Sequence, residues 1–269
     1  MTALALGKGF YAEKSNKYER EQNMRNYFKG QGGRAIYGIV LGIISNETVF
    51  PRVPGDSGNV STYPFPTIIK AVRQPIERIV SRDPELLKEY IEAVREFEKA
   101  GVMAITTVCG FNIIFQEELT SASKVPVFSS SLLQLPLVQR IIPKGKKIGI
   151  ITANGRIFNR HKNDLLSSAG LDPSTPIVIK GLEDYDGWSS IVKVKPFLDE
   201  EKIECEVVNV AKEMISENPD IGAILFECHN LPPYSKAVRD ATGLPVFDFM
   251  TLVEMISTAI IQRIYTGII

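Results

Sequence analysis

The stretch AITTVC at residues 104–109 decides the fold, because it recurs 119 residues later as AILFEC at residues 223–228. In each copy a largely apolar run, typical of a strand buried in a parallel sheet, is followed within two residues by a cysteine. At the same offset, the triplet Pro-Val-Phe at residues 126–128 recurs at residues 245–247. The sequence therefore predicts two similar halves, each with a strand that ends at a cysteine.

Apolar runs alternate with amphipathic stretches on either side of these two strands. A Gly-Ile run at Gly38 and another at Gly149 indicate the first strand of each half. This alternation predicts an α/β protein: two pseudo-symmetric, doubly wound parallel-sheet domains with a cleft between them. Strands are predicted at residues 35–44, 102–108, 148–152, 176–180 and 221–226, and helices at residues 83–100, 157–169, 200–217 and 252–265.

The same pattern suggests where the two domains divide. We expect the first domain to comprise residues 1–142 together with 250–269, with a polar N-terminal arm at residues 8–34 and a C-terminal helix that packs back on it. The second domain is expected to comprise residues 143–249. Residues 45–66 are rich in Pro, Gly, Ser and Asn, and connections longer than about 12–15 residues are often functional.

Composition and charge exclude several classes of protein. The 269 residues contain 31 Lys and Arg against 31 Asp and Glu, which argues against a nucleic-acid partner held by bulk positive charge. No apolar run approaches the roughly 20 residues that span a bilayer, and the N-terminus does not resemble a secretory signal. Three cysteines are too few for a disulfide framework, so we expect a cytoplasmic protein with free thiols.

Cys109 and Cys228 are the candidate catalytic residues. Ligand sites in parallel sheets form at the carboxyl ends of strands, so two facing halves would direct both thiols into one cleft. The alternative is that each is a core residue, since free cysteine is often buried. Equivalent strand ends carry two of only three cysteines, which favours a catalytic pair. Cys205, between two glutamates in a helical stretch, lacks this setting and is interpreted as a bystander.

Residues around both cysteines resemble the aspartate/glutamate racemase superfamily, which includes hydantoin racemases. The resemblance covers about residues 35–265 and rests on four segments: TTVCGFN at 106–112, FECHN at 226–230, KIGIITAN at 147–154 and GLPVFD at 243–248. It implies an isomerase, a cofactor-independent racemase or epimerase of an amino acid such as aspartate or glutamate, or of a related compound. The residues that follow each cysteine depart from the usual racemase patterns, which leaves the substrate open.

Two thiols on opposite faces of a carbon acid suit a two-base inversion, in which one thiolate removes a proton and the opposite thiol donates another. The ordinary cysteine pKa, about 8.5, falls toward neutrality at a helix N-terminus or beside a cation. Each cysteine precedes a predicted helix start. His229 could add positive charge beside Cys228, whereas Glu227 would oppose it.

A carboxylate substrate needs fixed donors, which loops at strand ends supply as backbone N–H groups and as hydroxyl and amide side chains. Arg52 could pair with a second carboxylate of the substrate. The alternative for each residue is turn or cap chemistry, which Asn, Ser and Asp perform routinely. The other candidate substrate-binding residues are Asn112, Thr152, His229, Asn154, Asn230, Asp56 and Ser57.

No cofactor or metal is expected, because the sequence lacks a phosphate-binding Gly-rich loop and has only two histidines. The expected partner is a small carboxylate substrate, with neither nucleic acid nor membrane. A homodimer is a possible assembly, but the sequence does not identify the oligomeric state. Two other functions stay open. One is a one-thiol decarboxylase or cis–trans isomerase of the same superfamily, and the other is a small-molecule binding protein, whose cleft between two α/β halves would close on a ligand. Paired thiols favour an enzyme.

Overall fold

The computed structural model describes Gly33, residues 36–262 and Ile264. The chain divides into two units, Met1–Ala35 and Ile36–Ile269, and the described helices and strands all lie in the second. The predicted N-terminal arm at residues 8–34 falls almost wholly outside the described residues.

Two four-stranded parallel sheets with the same strand order form the framework. The first contains β1 (Leu41–Asn46), β2 (Thr67–Val72), β3 (Ala104–Thr107) and β4 (Val127–Phe128) in the order β2-β1-β3-β4. The second contains β5 (Lys147–Thr152), β6 (Ile177–Gly181), β7 (Ile221–Phe226) and β8 (Val246–Phe247) in the order β6-β5-β7-β8. Helices flank both sheets, which confirms the predicted fold class.

Ten α-helices are described. They are α1 (Ile76–Val80), α2 (Pro84–Ala100), α3 (Gln116–Ala122), α4 (Leu135–Ile141), α5 (Gly155–Arg160), α6 (Lys162–Ser168), α7 (Ser189–Val192), α8 (Glu200–Glu217), α9 (Ser235–Thr242) and α10 (Phe249–Ile260). Short 3-10 helices lie at Val60–Thr62, Gly110–Phe115, Ser131–Gln134 and Pro232–Tyr234. Among the described residues, no helix is long and apolar enough to cross a membrane.

The strand register reproduces the sequence repeat. Ile105 of β3 pairs with Val127, and Ile224 of β7 pairs with Val246, so both pairs keep the offset of 119 residues. The interpretation of Gly38 as the counterpart of Gly149 is wrong. Gly42 lies opposite Ile105 as Gly149 lies opposite Ile224, so Gly42 is the true counterpart.

These two glycines have the same physical role. A Cβ atom on Gly42 would lie 2.7 Å from the ring of Phe97 on α2. A Cβ atom on Gly149 would lie 2.6 Å from the terminal methyl carbon of Met214 on α8. Glycine at the start of each half therefore lets a long helix pack directly on the sheet.

The long helices begin and end where their capping residues predict. The Asp83 side chain accepts the Glu85 N–H before α2, and Gly101 ends the helix with a left-handed φ of 82°. The predicted helix at residues 157–169 is instead two short helices that meet at His161. The last helix, α10, begins at Phe249 behind a capping box formed by Asp248 and Thr251.

The C-terminal helix packs beside the first sheet. Buried Phe249 and Leu252 of α10 belong to the same apolar cluster as Leu41 of β1 and Ala104 of β3. The domain boundaries at residues 142 and 249 nevertheless stay a prediction.

Candidate active site

A cavity of about 330 Å³ lies at the carboxyl ends of the central strands, and both halves line it. Cys109, after β3, and Cys228, after β7, both line this cavity and are half-buried. The long connection after β1 contributes Thr48, Phe50 and Arg52 to its wall. Because parallel strands of both sheets end here, the fold brings together two thiols that are 119 residues apart in sequence.

Cys109 immediately precedes the 3-10 helix Gly110–Phe115. Burial, and next the charge of Glu227, raise the pKa of its thiol to about 12. Hydrogen bonds from the backbone N–H groups of Phe111 and Asn112 lower the pKa and so oppose this rise. The predicted effect of a helix start is therefore present at Cys109, although burial and the charge of Glu227 outweigh it.

Cys228 has a less favourable setting for a thiolate. Its pKa lies well above the ordinary value, first because of burial and second because of the adjacent Glu227. Its thiol donates to the side-chain oxygen of Asn230 at 3.5 Å, a bond that only the protonated sulfur makes. A backbone N–H group of Asn230 opposes the rise. The two cysteines thus differ in their contacts: two backbone N–H groups face the Cys109 sulfur, whereas the Cys228 thiol donates to the Asn230 side chain.

Glu227 is a buried acid between the two halves that was not among the predicted site residues. It lines the cavity and is 1% exposed. Its carboxylate accepts a hydrogen bond from the Thr152 hydroxyl at 2.6 Å. Burial raises its pKa to about 7, against the opposing effects of Thr152 and of the Ala153 and Phe111 N–H groups. In the sequence, the position of Glu227 directly before Cys228 is the feature that could have marked it as a site residue.

Gly110 allows this carboxylate to approach the loop of Cys109. A Cβ atom at Gly110 would lie 2.2 Å from both the backbone oxygen and the Oε1 atom of Glu227. No larger residue fits at this point without moving one half away from the other. Glycine after Cys109 is therefore a requirement of the contact between the halves.

Asp56 joins Arg52 to Asn230 in one network beside Cys228. The carboxylate accepts from Arg52 at 2.9 Å and from the Asn230 side chain at 2.7 Å. Arg52 also donates to Thr48 at 2.9 Å and lies over the ring of Phe50. Arg52 and Asn230 line the cavity, whereas Asp56 supports them from behind. The structure thus brings these three predicted residues together.

His229 faces away from the cavity and connects the halves. Its Nδ1 donates to the Thr107 carbonyl oxygen at 3.0 Å, and its Nε2 accepts the Ser131 N–H at 3.2 Å. Its ring lies 4.3 Å from that of Phe249. Burial lowers its pKa to about 3, so the ring is neutral and lends no positive charge to Cys228.

The other predicted substrate-binding residues divide into two groups. Asn154 lines the cavity, but its side chain caps α5 by accepting the Ile157 N–H at 3.0 Å. Thr152, Asn112 and Ser57 are fully buried and do not line the cavity. Thr152 acts on the site through Glu227, and Asn112 acts through a neighbouring amide, Gln74.

Gln74 is a cavity residue that was not predicted. It follows β2 and lies in the cavity wall near Asn112, whose side chain donates to Gln74 Oε1 at 2.9 Å. No motif marks it, because it is 35 residues from Cys109 and only the sheet brings them together. Within the described part of the chain, no group of three or more His, Cys, Asp or Glu could hold a metal ion.

No protein-family model matches the chain, but curated relatives do. A dimethylsulfoniopropionate lyase from Durusdinium sp. clade D is 35% identical over 213 residues, which cover 77% of this chain and 70% of that protein. Dimethylsulfoniopropionate lyase 7 from Emiliania huxleyi (strain CCMP1516) is 30% identical over 236 residues, covering 85% and 69%. Dimethylsulfoniopropionate lyase 3 of the same organism is 34% identical, and the chain spans 57% of its length.

Solved structures share the fold. Arylmalonate decarboxylase matches 82% of this chain and 92% of its own with a TM-score of 0.56 and 15% identity. Aspartate racemase from Picrophilus torridus matches 82% and 94% with a TM-score of 0.50 and 15% identity. The fold is therefore that of the aspartate/glutamate racemase superfamily, which confirms the resemblance seen in the sequence. At these identities the likeness concerns the fold alone.

Proposed function

This chain belongs to the dimethylsulfoniopropionate lyase family, and we propose that it is a lyase that cleaves dimethylsulfoniopropionate by elimination. The observation that carries the proposal is the cavity lined by both strand-end cysteines in a chain 35% identical to such a lyase.

The expectation of a racemase, and with it the isomerase class, is wrong, because the curated relatives that match most of the chain are lyases. The alternative that named a one-thiol decarboxylase is nearer, since a decarboxylase is also a lyase. The physical reason is that racemisation and elimination share their first step, removal of a proton from the carbon next to a carboxylate. Thiols at strand ends indicate this first step, and they do not distinguish reprotonation from loss of a leaving group.

The proposed reaction needs a single base. A thiolate removes a proton from the carbon next to the carboxylate. The electron pair of that C–H bond forms a carbon–carbon double bond as the C–S bond breaks, and the electron pair of the C–S bond leaves with sulfur. The products are neutral dimethyl sulfide, acrylate and a protonated thiol. The leaving group is neutral, so it needs no general acid.

We assign the base to Cys109. Two backbone N–H groups lower the pKa of its thiol. One such group acts on Cys228, whose thiol donates to the Asn230 side chain. Burial and the charge of Glu227 oppose ionisation of Cys109. Among the described residues of the cavity wall no free cation offsets them, since Arg52 is paired with Asp56. A sulfonium substrate brings its own positive charge, which stabilises a nearby thiolate. Ionisation of Cys109 would then be coupled to binding of the substrate.

The cavity suits a cation with two methyl groups. Glu227 supplies a buried acidic group in its wall, and Val108, Ile157 and Ile191 supply apolar surface. A sulfonium group combines positive charge with methyl groups that bury well against such surface. Cys228 would contact the substrate as a neutral thiol.

The test is the release of dimethyl sulfide from dimethylsulfoniopropionate, measured in the headspace by gas chromatography. Wild type should release it, and Cys109→Ala should lose about 100-fold or more of the turnover. Cys228→Ser, which keeps a donor for the bond to Asn230, should lose less than Cys228→Ala. Cys205→Ala is the matched control, because Cys205 is exposed on α8, and it should behave as wild type. Failure of the wild-type protein to release dimethyl sulfide would overturn the proposal.

The remaining expectations stay predictions. They are a cytoplasmic location, a homodimer, and a partner that is a small carboxylate rather than a nucleic acid. Size-exclusion chromatography with light scattering tests the homodimer, and a mass equal to one chain would contradict it.

A further inference from the structure

Gln74 carries a buried donor without a partner. Its side chain is 2% exposed, and its Nε2 atom has no hydrogen-bond partner among the described residues. Buried amide donors in folded proteins are nearly always paired, because an unpaired donor costs free energy. Since Gln74 lies in the cavity wall, a ligand in the cavity can supply the missing acceptor.

A buried network fixes which end of the Gln74 amide is free. Its oxygen accepts from Asn112 Nδ2 at 2.9 Å. It also lies at hydrogen-bond distance from the Tyr90 hydroxyl, whose single proton faces both this oxygen and Asn112 Oδ1. Asn112 Nδ2 also donates to Thr107 Oγ1 at 2.9 Å, and that hydroxyl donates to the Ser129 carbonyl oxygen. Turning the Gln74 amide over would set its NH₂ group against that of Asn112 and lose the bond that Asn112 Nδ2 donates. The NH₂ group is therefore held as the unpaired end.

We propose that Gln74 is a specificity-determining residue whose Nε2 donates to the carboxylate of the substrate, with Tyr90 and Asn112 as positioning residues. The inference rests on the proposed function, in which the substrate is a monocarboxylate. Asn112 belongs to the 3-10 helix that Cys109 precedes, so Gln74 and the proposed base are fixed to the same local structure. A carboxylate held at Gln74 would present its adjacent carbon on the Cys109 side of the cavity.

Arg52 is the competing anchor for the carboxylate, since it also lines the cavity. Its guanidinium group is already bonded to Asp56 and Thr48, each at 2.9 Å. Gln74 has an uncommitted donor, and Arg52 has charge that Asp56 already neutralises. Because its donor is unpaired, Gln74 is favoured over Arg52 as the residue that binds the substrate carboxylate.

The experiment separates the two ends of the substrate by titrating propionate and trimethylsulfonium individually into the protein by calorimetry. Gln74→Met, which keeps the length of the side chain, should weaken propionate binding by about 10- to 100-fold, the range for one hydrogen bond to a charged group. Gln74→Glu should weaken it further through repulsion of like charges. Trimethylsulfonium binding should stay within about 2-fold of wild type in Gln74→Met, because that cation accepts no hydrogen bond. The matched control is Gln139→Met on the exposed face of α4, and it should bind both probes as wild type does.

The kinetics of a Tyr90 variant test whether Tyr90 positions the Gln74 amide. Tyr90→Phe should raise the KM for dimethylsulfoniopropionate more than it lowers kcat, because the amide loses its orientation while the base remains. Should Gln74→Met not fold, Gln74→Glu and Tyr90→Phe carry the test, with circular dichroism confirming their fold.

The outcomes distinguish this inference from the proposed function. Unchanged propionate binding in Gln74→Met, or no propionate binding by wild type, would overturn the role of Gln74. Cleavage by wild type together with an unchanged KM in Gln74→Met would also overturn it and leave the proposed function intact. Propionate binding that depends on Gln74, without any cleavage by wild type, would support the carboxylate site and refute the lyase.

Discussion

Replacement of Glu227 by glutamine should change how stability depends on pH. Burial raises the pKa of Glu227 from its ordinary 4.5 to about 7. Because the folded pKa is raised, the contribution of this carboxyl to stability is fully present below pH 4.5 and is lost as pH rises through 7. Each pKa unit corresponds to about 1.4 kcal/mol, so the total loss is about 3 kcal/mol.

Glutamine does not ionise, so the Glu227→Gln variant should escape this loss. Between pH 5 and pH 8, the free energy of unfolding of wild type should fall relative to the variant by about 2–3 kcal/mol. For a chain of this size the difference corresponds to about 5–10 °C in Tm. Titrating groups whose pKa does not depend on Glu227, His229 included, are present in both proteins and cancel in the comparison.

The assay is urea unfolding of both proteins at pH 5 and pH 8, monitored by circular dichroism. Glu117→Gln, at an exposed position on α3, is the control and should parallel wild type. Parallel pH dependence of wild type and Glu227→Gln would contradict the raised pKa, since it would mean that Glu227 ionises normally in the folded protein. A lower apparent pKa of the Cys109 thiol in the variant, measured by alkylation, should accompany the change in stability.

Other contacts in and around the cavity lead to further expected outcomes. His229→Ala should lower the free energy of unfolding by about 2–4 kcal/mol, because it removes two buried hydrogen bonds and a ring contact; wild-type stability with lost turnover would instead support a substrate-binding role. In wild type, the stability due to neutral His229 should be present above pH 6.5 and lost as pH falls toward 3, as acid titration monitored by fluorescence would show. Gly110→Ala should destabilise the protein by about 1–3 kcal/mol and reduce turnover, since the added carbon meets Glu227; an unaffected variant would contradict that contact. Turnover should survive exhaustive dialysis against a chelator, and a loss that added metal restores would contradict a cofactor-independent reaction.

The sequence predicted the parts of the fold that local chemistry determines. Helix α8 begins after Asp199, which caps it, and matches the predicted residues 200–217. Strand β7 likewise matches residues 221–226, because its apolar run is uninterrupted. The first strand is displaced, from residues 35–44 to Leu41–Asn46. Apolar residues lie on both sides of Gly38 and of Gly42, so the sequence alone does not show which glycine belongs to the strand. The pairing of β1 with β3 shows that it is Gly42. Strand β2 (Thr67–Val72) was missed, because only one of its residues is fully buried and its alternation is weak.

The candidate site likewise contains residues that the sequence predicts and residues whose positions depend on tertiary contacts. Both cysteines are marked by the repeat, and the structure places both in one cavity. The orientation of His229 depends on Thr107 and Ser131 from the other half, which no local pattern encodes. Gln74 acquires its place through Asn112, a tertiary contact. The step after proton removal depends on the substrate, which explains why a racemase and a lyase look alike in the sequence.

Proton NMR of dimethylsulfoniopropionate, incubated with the protein in deuterated water, tests the proposed elimination most directly. We expect acrylate and dimethyl sulfide to appear in equal amounts, and the Cys109→Ala variant to form neither. We also expect slower turnover for substrate deuterated at the carbon next to the carboxylate, because that proton is removed by the thiolate. Acrylate formed by Cys109→Ala at the wild-type rate, or exchange of that proton without cleavage of the C–S bond, would contradict elimination by the Cys109 thiolate.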